Sequence, residues 1–494
     1  MQRRSFARAF AVCAAVACAA PAQSPTLLIR GGRVHARPGA EPVEASILVV
    51  DGRIKDVGKD VVAPEGAEVL DAAGHEVYPS FIDPLNDALL ETYPTPPGAL
   101  GGGDRALDLY DRFADARRAR LIRAGVGVVG LGAPASGMRS GVAAVVCTPV
   151  GADGAPTVIA EDRFVQFDVA VRQRAGGDPF SRGLGGSTIV NVMSRDTAVR
   201  SLEEFFEGAK KYREAWEKYA KDLEEYRKKL AEGGGAESKP AEKKDDAEER
   251  RPAPRGAPRL PEGFRDWPRQ KQREWMRENM NRGPGGAETT ESSPTAAKSD
   301  GKLKPPEKPK VEPEKEALVR VLKREQPLWV AAEWTQDLDA VLDFAKAKKV
   351  RLVVIGAAEA DLRLEKLKAA KAVVLLPPPV AFGEDPLGGP REDLARLLAK
   401  EGIPFAFFTA GRPEYGPDGL PFAAALAIGR GLTEDQALAA VTVNAARALG
   451  LEKTLGTVEV GKEAHLMLIK GSPFAPGARP ARLVCRGRTV ATEN

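Results

Sequence analysis

Two kinds of hydrophobic pattern divide the chain. Near both ends the apolar runs are short and turn residues separate them. Thr26 to Ile29, Ala45 to Val50 and Glu68 to Leu70 read as strands, punctuated by Gly31-Gly32 and Asp51-Gly52. The far end mirrors this, with Leu466 to Ile469, Ala481 to Cys485 and Thr489-Val490 set around a Gly/Pro-rich loop and the Gly487-Arg488 turn. Two terminal strand clusters flanking a long middle predict one small β unit built from both chain ends.

The middle alternates apolar runs with stretches of helical period. Val126 to Leu131, Val142 to Cys147, Leu328 to Ala332, Val350 to Ile355, Ala372 to Leu376 and Phe405 to Thr409 read as buried strands. Ala106 to Ala124, Leu338 to Lys348, Leu362 to Ala370, Arg391 to Glu401, Leu420 to Gly429 and Thr433 to Leu449 read as helices. Strand followed by helix, repeated, predicts parallel βα units, and uninterrupted apolar strands suit a sheet covered on both faces.

A long interruption splits this alternation. Ser201-Leu202-Glu203-Glu204 has the form of a capping box. Phe205, Ala209, Tyr212, Trp216, Tyr219, Leu223, Tyr226 and Leu230 then follow helical spacing up to Gly233-Gly234-Gly235. Residues 236 to 316 are rich in Pro, Lys, Glu, Gly and Ser, a composition that buries too little apolar surface to offset the entropy of ordering. An island of Phe264, Trp267, Trp275, Met276 and Met280 lies within it, either a short docking helix or a transient one.

The N-terminus reads as an export signal: Arg3 and Arg4, an apolar run from Phe10 to Ala20, then Ala20-Pro21-Ala22 before Gln23. Arg3-Arg4-Ser5-Phe6-Ala7-Arg8 also has the look of a twin-arginine signal, so the route is either that or ordinary secretion. The run is too short to span a bilayer, and no other transmembrane segment is expected. Removing the signal takes Cys13 and Cys18 with it. Cys147 and Cys485 remain, either paired in an oxidising compartment or packed as two buried thiols.

The composition narrows the function. The chain has 494 residues, 43% of them hydrophobic, with 73 Lys+Arg against 69 Asp+Glu. So even a balance gives no electrostatic footprint for nucleic acid. Four cysteines exclude a disulfide scaffold, and three histidines exclude any site that needs four imidazoles.

Particular motifs carry a resemblance. Leu27-Leu28-Ile29-Arg30-Gly31-Gly32-Arg33-Val34, Ile47 to Ile54 with its Asp51-Gly52 turn, and Val77-Tyr78-Pro79-Ser80-Phe81-Ile82-Asp83 open the chain. Gly431 to Leu438, Thr442-Val443-Asn444-Ala445-Ala446-Arg447 and Leu455-Gly456-Thr457-Val458-Glu459-Val460-Gly461-Lys462-Glu463-Ala464 close it. Together they resemble the amidohydrolase superfamily, near its imidazolonepropionase-like members. The resemblance implies an α/β fold: a (β/α)8 TIM-like barrel carrying a composite β-sandwich. The corresponding division is a signal peptide over 1–22, the sandwich over 23–78 plus 451–494, the barrel over 79–231 plus 317–450, and a disordered insertion over 232–316. It also implies a metal-activated hydroxide, held by imidazoles, that attacks an amide or ring C–N bond.

The residues the family uses for that chemistry are not in this sequence. The family's His-x-His at the first barrel strand corresponds to Leu85 and Asp87, its fifth-strand His to Ala331, the next His to Gly356, and its proton-transferring Asp to Ala410. His35, His75 and His465 match positions outside the barrel mouth. No metal is therefore expected. The alternative is one divalent ion (Zn, Mn or Mg) on a carboxylate site rebuilt from Asp83, Asp87 and Glu333; against it, Asp83 hydrogen-bonds locally and the other two are solvated. The sequence thus reads as an exported, periplasmic, non-catalytic member. It would act in binding or assembly, with an active amidohydrolase homologue or as a homo-oligomer. The alternative is a metal-dependent hydrolase of non-peptide C–N bonds.

Overall fold

The computed structural model describes residues 26–91, 104–132, 139–150, 155–169, 195–232, 305–378, 391–411 and 419–492. The signal segment, most of the insertion and its aromatic island lie outside these residues. Two compact units are distinguished: Met1–Trp216 with Pro309–Asn494, and Glu217–Lys308. Of the second, the described part is mainly the C-terminal portion of a long helix.

The first unit contains two eight-stranded sheets. One draws on both chain ends. It comprises β1 (Leu27–Val34), β2 (Val43–Val50), β3 (Arg53–Gly58), β4 (Glu68–Asp71) and β5 (Glu76–Pro79) with β14 (His465–Ile469), β15 (Pro480–Cys485) and β16 (Arg488–Ala491). β14 lies antiparallel to β5, which joins the two ends. The family resemblance implies a sandwich here; the strands form one continuous hydrogen-bonded sheet in the order β16-β15-β14-β5-β1-β2-β3, with β4 beside β1. Its own core holds Leu27, Ile29, Ile47, Val49, Leu466 and Val484.

The second sheet is the barrel wall, in strict chain order. It runs β6 (Phe81–Asn86), β7 (Val126–Leu131), β8 (Arg139–Cys147), β9 (Val158–Asp168), β10 (Leu328–Ala332), β11 (Leu352–Gly356), β12 (Val373–Leu376), β13 (Phe405–Phe407). Side chains alternate across the wall as a pleated strand requires. Ile82, Val128, Val145, Val353, Val373 and Ala406 face the inner core. Their neighbours Phe81, Val129, Val146, Val354, Val374 and Phe405 face the outer one. Trp329 is fully buried inside, stacked on Phe164 at 3.9 Å, with its indole N–H donated to the Ala448 carbonyl at 3.1 Å.

The wall departs from a regular alternation in one place. β8 runs antiparallel to both β7 and β9. The connections on either side are short, and a parallel return needs a crossover of a dozen or more residues, so a meander replaces two βα units. β9 carries Glu161, Asp162 and Arg163 at its middle, which hides it from a search for apolar runs.

The helices are α1 (Asp115–Arg123), α2 (Arg195–Glu232), α3 (Pro313–Leu322), α4 (Thr335–Lys348), α5 (Leu364–Ala370), α6 (Leu394–Lys400), α7 (Gly419–Gly429), α8 (Glu434–Val441) and α9 (Val443–Ala448). Four differ from the sequence reading. The stretch from Ala106 is a short 3-10 turn, then α1, because the Asp111 side chain accepts from the Phe113 N–H and turns the chain. α2 is already helical at Arg195, whose guanidinium holds Asp337 at 2.5 Å, so Ser201 is not its cap. α3 orders residues assigned to the insertion, because Ala317, Leu318, Val319 and Val321 bury against β8 and β9. The segment from Thr433 breaks at Thr442 (φ −131°, ψ −89°), whose hydroxyl donates to the Leu438 carbonyl.

Candidate functional site

The C-terminal ends of parallel strands are where a barrel of this kind does chemistry. Here that rim is formed by residues 86–88 after β6, 333–334 after β10, 357–359 after β11 and 408–411 after β13. Each sequence-selected position can be placed on it.

Asp83 is fully buried. Its carboxylate accepts from the Thr409 N–H at 3.2 Å, the Thr409 hydroxyl at 2.5 Å and the Asn86 amide at 2.9 Å. Asn86 also donates to the Thr409 oxygen at 2.9 Å, and its own carbonyl accepts from the Ala88 N–H at 2.8 Å. The Asn86 contact is local, as the sequence reading has it. The Thr409 contacts are not: they reach from the first barrel strand to the last. With the Ala410 N–H donated to the Leu85 carbonyl at 3.0 Å, they form the seam where the barrel nearly closes. Burial pushes the Asp83 carboxyl up to about 6, against the hydrogen bonds from Thr409 and Asn86 that pull it down. Thr409 and Asn86 were not singled out from the sequence; Asn86 lies between Leu85 and Asp87, and Thr409 beside Ala410.

Leu85 points inward and is 1% exposed, part of the inner core with Trp329 and Val353. Asp87 reaches over Gly411, whose φ is +68°; a Cβ there would stand 2.0 Å from the Asp87 Oδ1. Ala331 is on β10 beside Asp168 of β9. Gly356 has φ +88°, and a Cβ on it would meet the Glu333 carboxyl carbon at 2.8 Å. Ala410 is buried with φ +51°. The three carboxylates proposed for a rebuilt site therefore sit in three different settings: Asp83 inside the seam, Asp87 over Gly411, Glu333 over Gly356. Among the described residues no group of three or more His, Cys, Asp or Glu side chains converges as a metal site would require.

The histidines lie elsewhere. His35 contacts Glu76 at 2.5 Å and stacks on Tyr78; His75 is in an exposed turn at the Ala73 carbonyl. His465 is buried on β14 beside Glu463 at 3.2 Å. Burial would raise the Glu463 carboxyl, but hydrogen bonds from His465 and Arg486 hold it down at about 2.

An α/β barrel with a sheet from both chain ends, its candidate chemistry on the strand rim, defines a recognisable class. The pattern described as the amidohydrolase family matches residues 332–490. An imidazolonepropionase of Shouchella clausii is 34% identical over 125 residues, 23% of this chain and 27% of that protein. A dihydroorotase of Geobacter sulfurreducens is 52% identical over 58 residues, 12% and 13% of the two chains. The chain therefore aligns with about a quarter or less of the length of these curated relatives. In fold, it is similar to an amidohydrolase from Thermotoga maritima, with TM-score 0.60 and 18% identity over 94% of this chain and 99% of that one. These matches support a likeness to the amidohydrolase superfamily.

The metal this family implies does not fit the residues present. Leu85 is spent on the barrel core, and Ala331, Gly356 and Ala410 offer no donor atom. Asp83, the remaining buried carboxylate of the rim, is occupied by three donors.

Proposed function

We propose that this is an exported, non-hydrolytic member of the superfamily, which acts by binding or assembly. The observation that carries this reading is the seam itself. Asp83, the buried carboxylate of the rim, bonds strand β6 to strand β13 through Thr409, and the family's ligand positions carry Leu85, Asp87, Ala331 and Gly356. The partners consistent with it are an active amidohydrolase homologue or a second copy of the chain. No helix among the described residues is long and apolar enough to cross a membrane.

The test is a turnover screen of the purified chain on cyclic amides, ring C–N substrates and dipeptides, with Zn²⁺ or Mn²⁺ added. No hydrolysis above the metal-only blank is expected. Turnover that disappears in Asp87→Ala would replace this reading with the rebuilt carboxylate hydrolase.

A further inference from the structure

The chain's only cysteines beyond residue 22 are Cys147 and Cys485, far apart in sequence and on different sheets. Cys147 ends β8 in the barrel wall, opposite Val128 of β7. Cys485 ends β15 in the other sheet, opposite His465 of β14. Both reach one place. The Cys485 thiol lies 3.6 Å from the Gly127 carbonyl as donor, and the same carbonyl accepts from the N–H of Thr148, the residue next to Cys147, at 2.9 Å. The two side chains meet there closely enough for each thiol to feel the other. Gly127 permits the approach: a Cβ there would stand 2.3 Å from the Ser80 Oγ and 3.5 Å from the Cys485 Sγ. Both cysteines are almost fully buried.

We propose that Cys147 and Cys485 are a cross-linking site, oxidised to a disulfide that staples the barrel wall to the two-ended sheet. The surroundings favour the reaction. The neighbouring Cys485 side chain and, to a lesser degree, the positive Arg486 guanidinium lower the Cys147 thiol toward its thiolate. As the chain folds, the Cys147 thiolate attacks one sulfur of a disulfide-class oxidant and expels the other as a thiolate. The Cys485 thiolate then attacks the Cys147 sulfur of that mixed disulfide and releases the second oxidant sulfur. The two cysteines lose two protons and two electrons, and the oxidant leaves as two thiols. With no third cysteine in the mature chain, nothing competes for the pairing. Burial then shields the bond from exchange, and the very long loop it closes is the case in which a cross-link constrains the unfolded chain most. The inference stands apart from the proposed function, since it needs only the two thiols and the oxidant.

The experiment is to refold the full chain in oxidised glutathione, alkylate it after denaturation and map its peptides by mass spectrometry. The expected result is a single linkage joining the Cys147 and Cys485 peptides, neither of these two cysteines alkylated, and a thermal midpoint several degrees above that of the reduced chain. Cys485→Ser should leave Cys147 open to alkylation and a midpoint indifferent to reductant. Recovery of both cysteines alkylated or glutathionylated in the natively refolded wild-type chain would overturn the proposal.

Discussion

Asp83 shows how much one residue type can change its role with its surroundings. Asp83 closes the first barrel strand's quoted motif and could be taken for a metal ligand. Here its three donors come from Thr409 and Asn86, and its burial favours the protonated form. Truncating it strands those donors inside the protein, so Asp83→Ala is expected to cost about 2–4 kcal/mol in denaturant unfolding. The carboxyl also makes a signed prediction. Its folded pKa of about 6 lies above the ordinary value of 3.8, so the folded state holds the proton more tightly. The contribution is fully present below pH 3.8 and is lost as pH rises through 6, about 3 kcal/mol in all. Asp83→Asn should flatten that part of the stability profile, measured by urea unfolding across pH 4 to 7; an unchanged slope would remove Asp83 as its source. Gly356 carries the second residue-scale prediction. Its φ of +88° strains any side chain placed there, and the Glu333 carboxyl would have to shift to admit a Cβ. Gly356→His, which would restore a family ligand, should therefore cost about 2 kcal/mol or more and recruit no zinc by isothermal titration.

At the scale of elements, the sequence was most legible where one periodicity ran uninterrupted. The apolar strands β7, β10, β11 and β12 stand within a residue or two of their expected limits. β9 was invisible because its charges sit mid-strand, where Arg163 donates to the carbonyls of Leu449 and Gly450. Helix direction at Thr442 was equally hidden, since the break rests on a side-chain hydroxyl competing for a backbone carbonyl. The missed β9 and the broken helix meet in the barrel interior, at Phe164 and Ala448 on either side of Trp329. Trp329→Ala removes the largest fully buried side chain there and is expected to cost about 3–5 kcal/mol by thermal or urea unfolding. Trp329→Phe, which keeps most of the volume, should recover the greater part of that loss.

For the whole molecule, the likeness to the family was readable from motifs at its two ends. What the sequence did not convey was the setting of what remained. Asp83, Asp87 and Glu333 look like one acidic site when read in order, yet the barrel holds them apart, because strand twist and rim turns decide which side chains converge. The seam joining Asp83 to Thr409 was hidden for the same reason, its partners lying at opposite ends of the barrel sequence. The result is a barrel fold in which Asp83 of the rim is engaged with Thr409 across the seam. The most direct measurement is the metal content of the purified mature chain, by elemental mass spectrometry after dialysis against metal-free buffer. The account predicts less than about a tenth of an equivalent of any divalent transition metal; close to one equivalent of zinc or manganese, tightly held through dialysis, would contradict it.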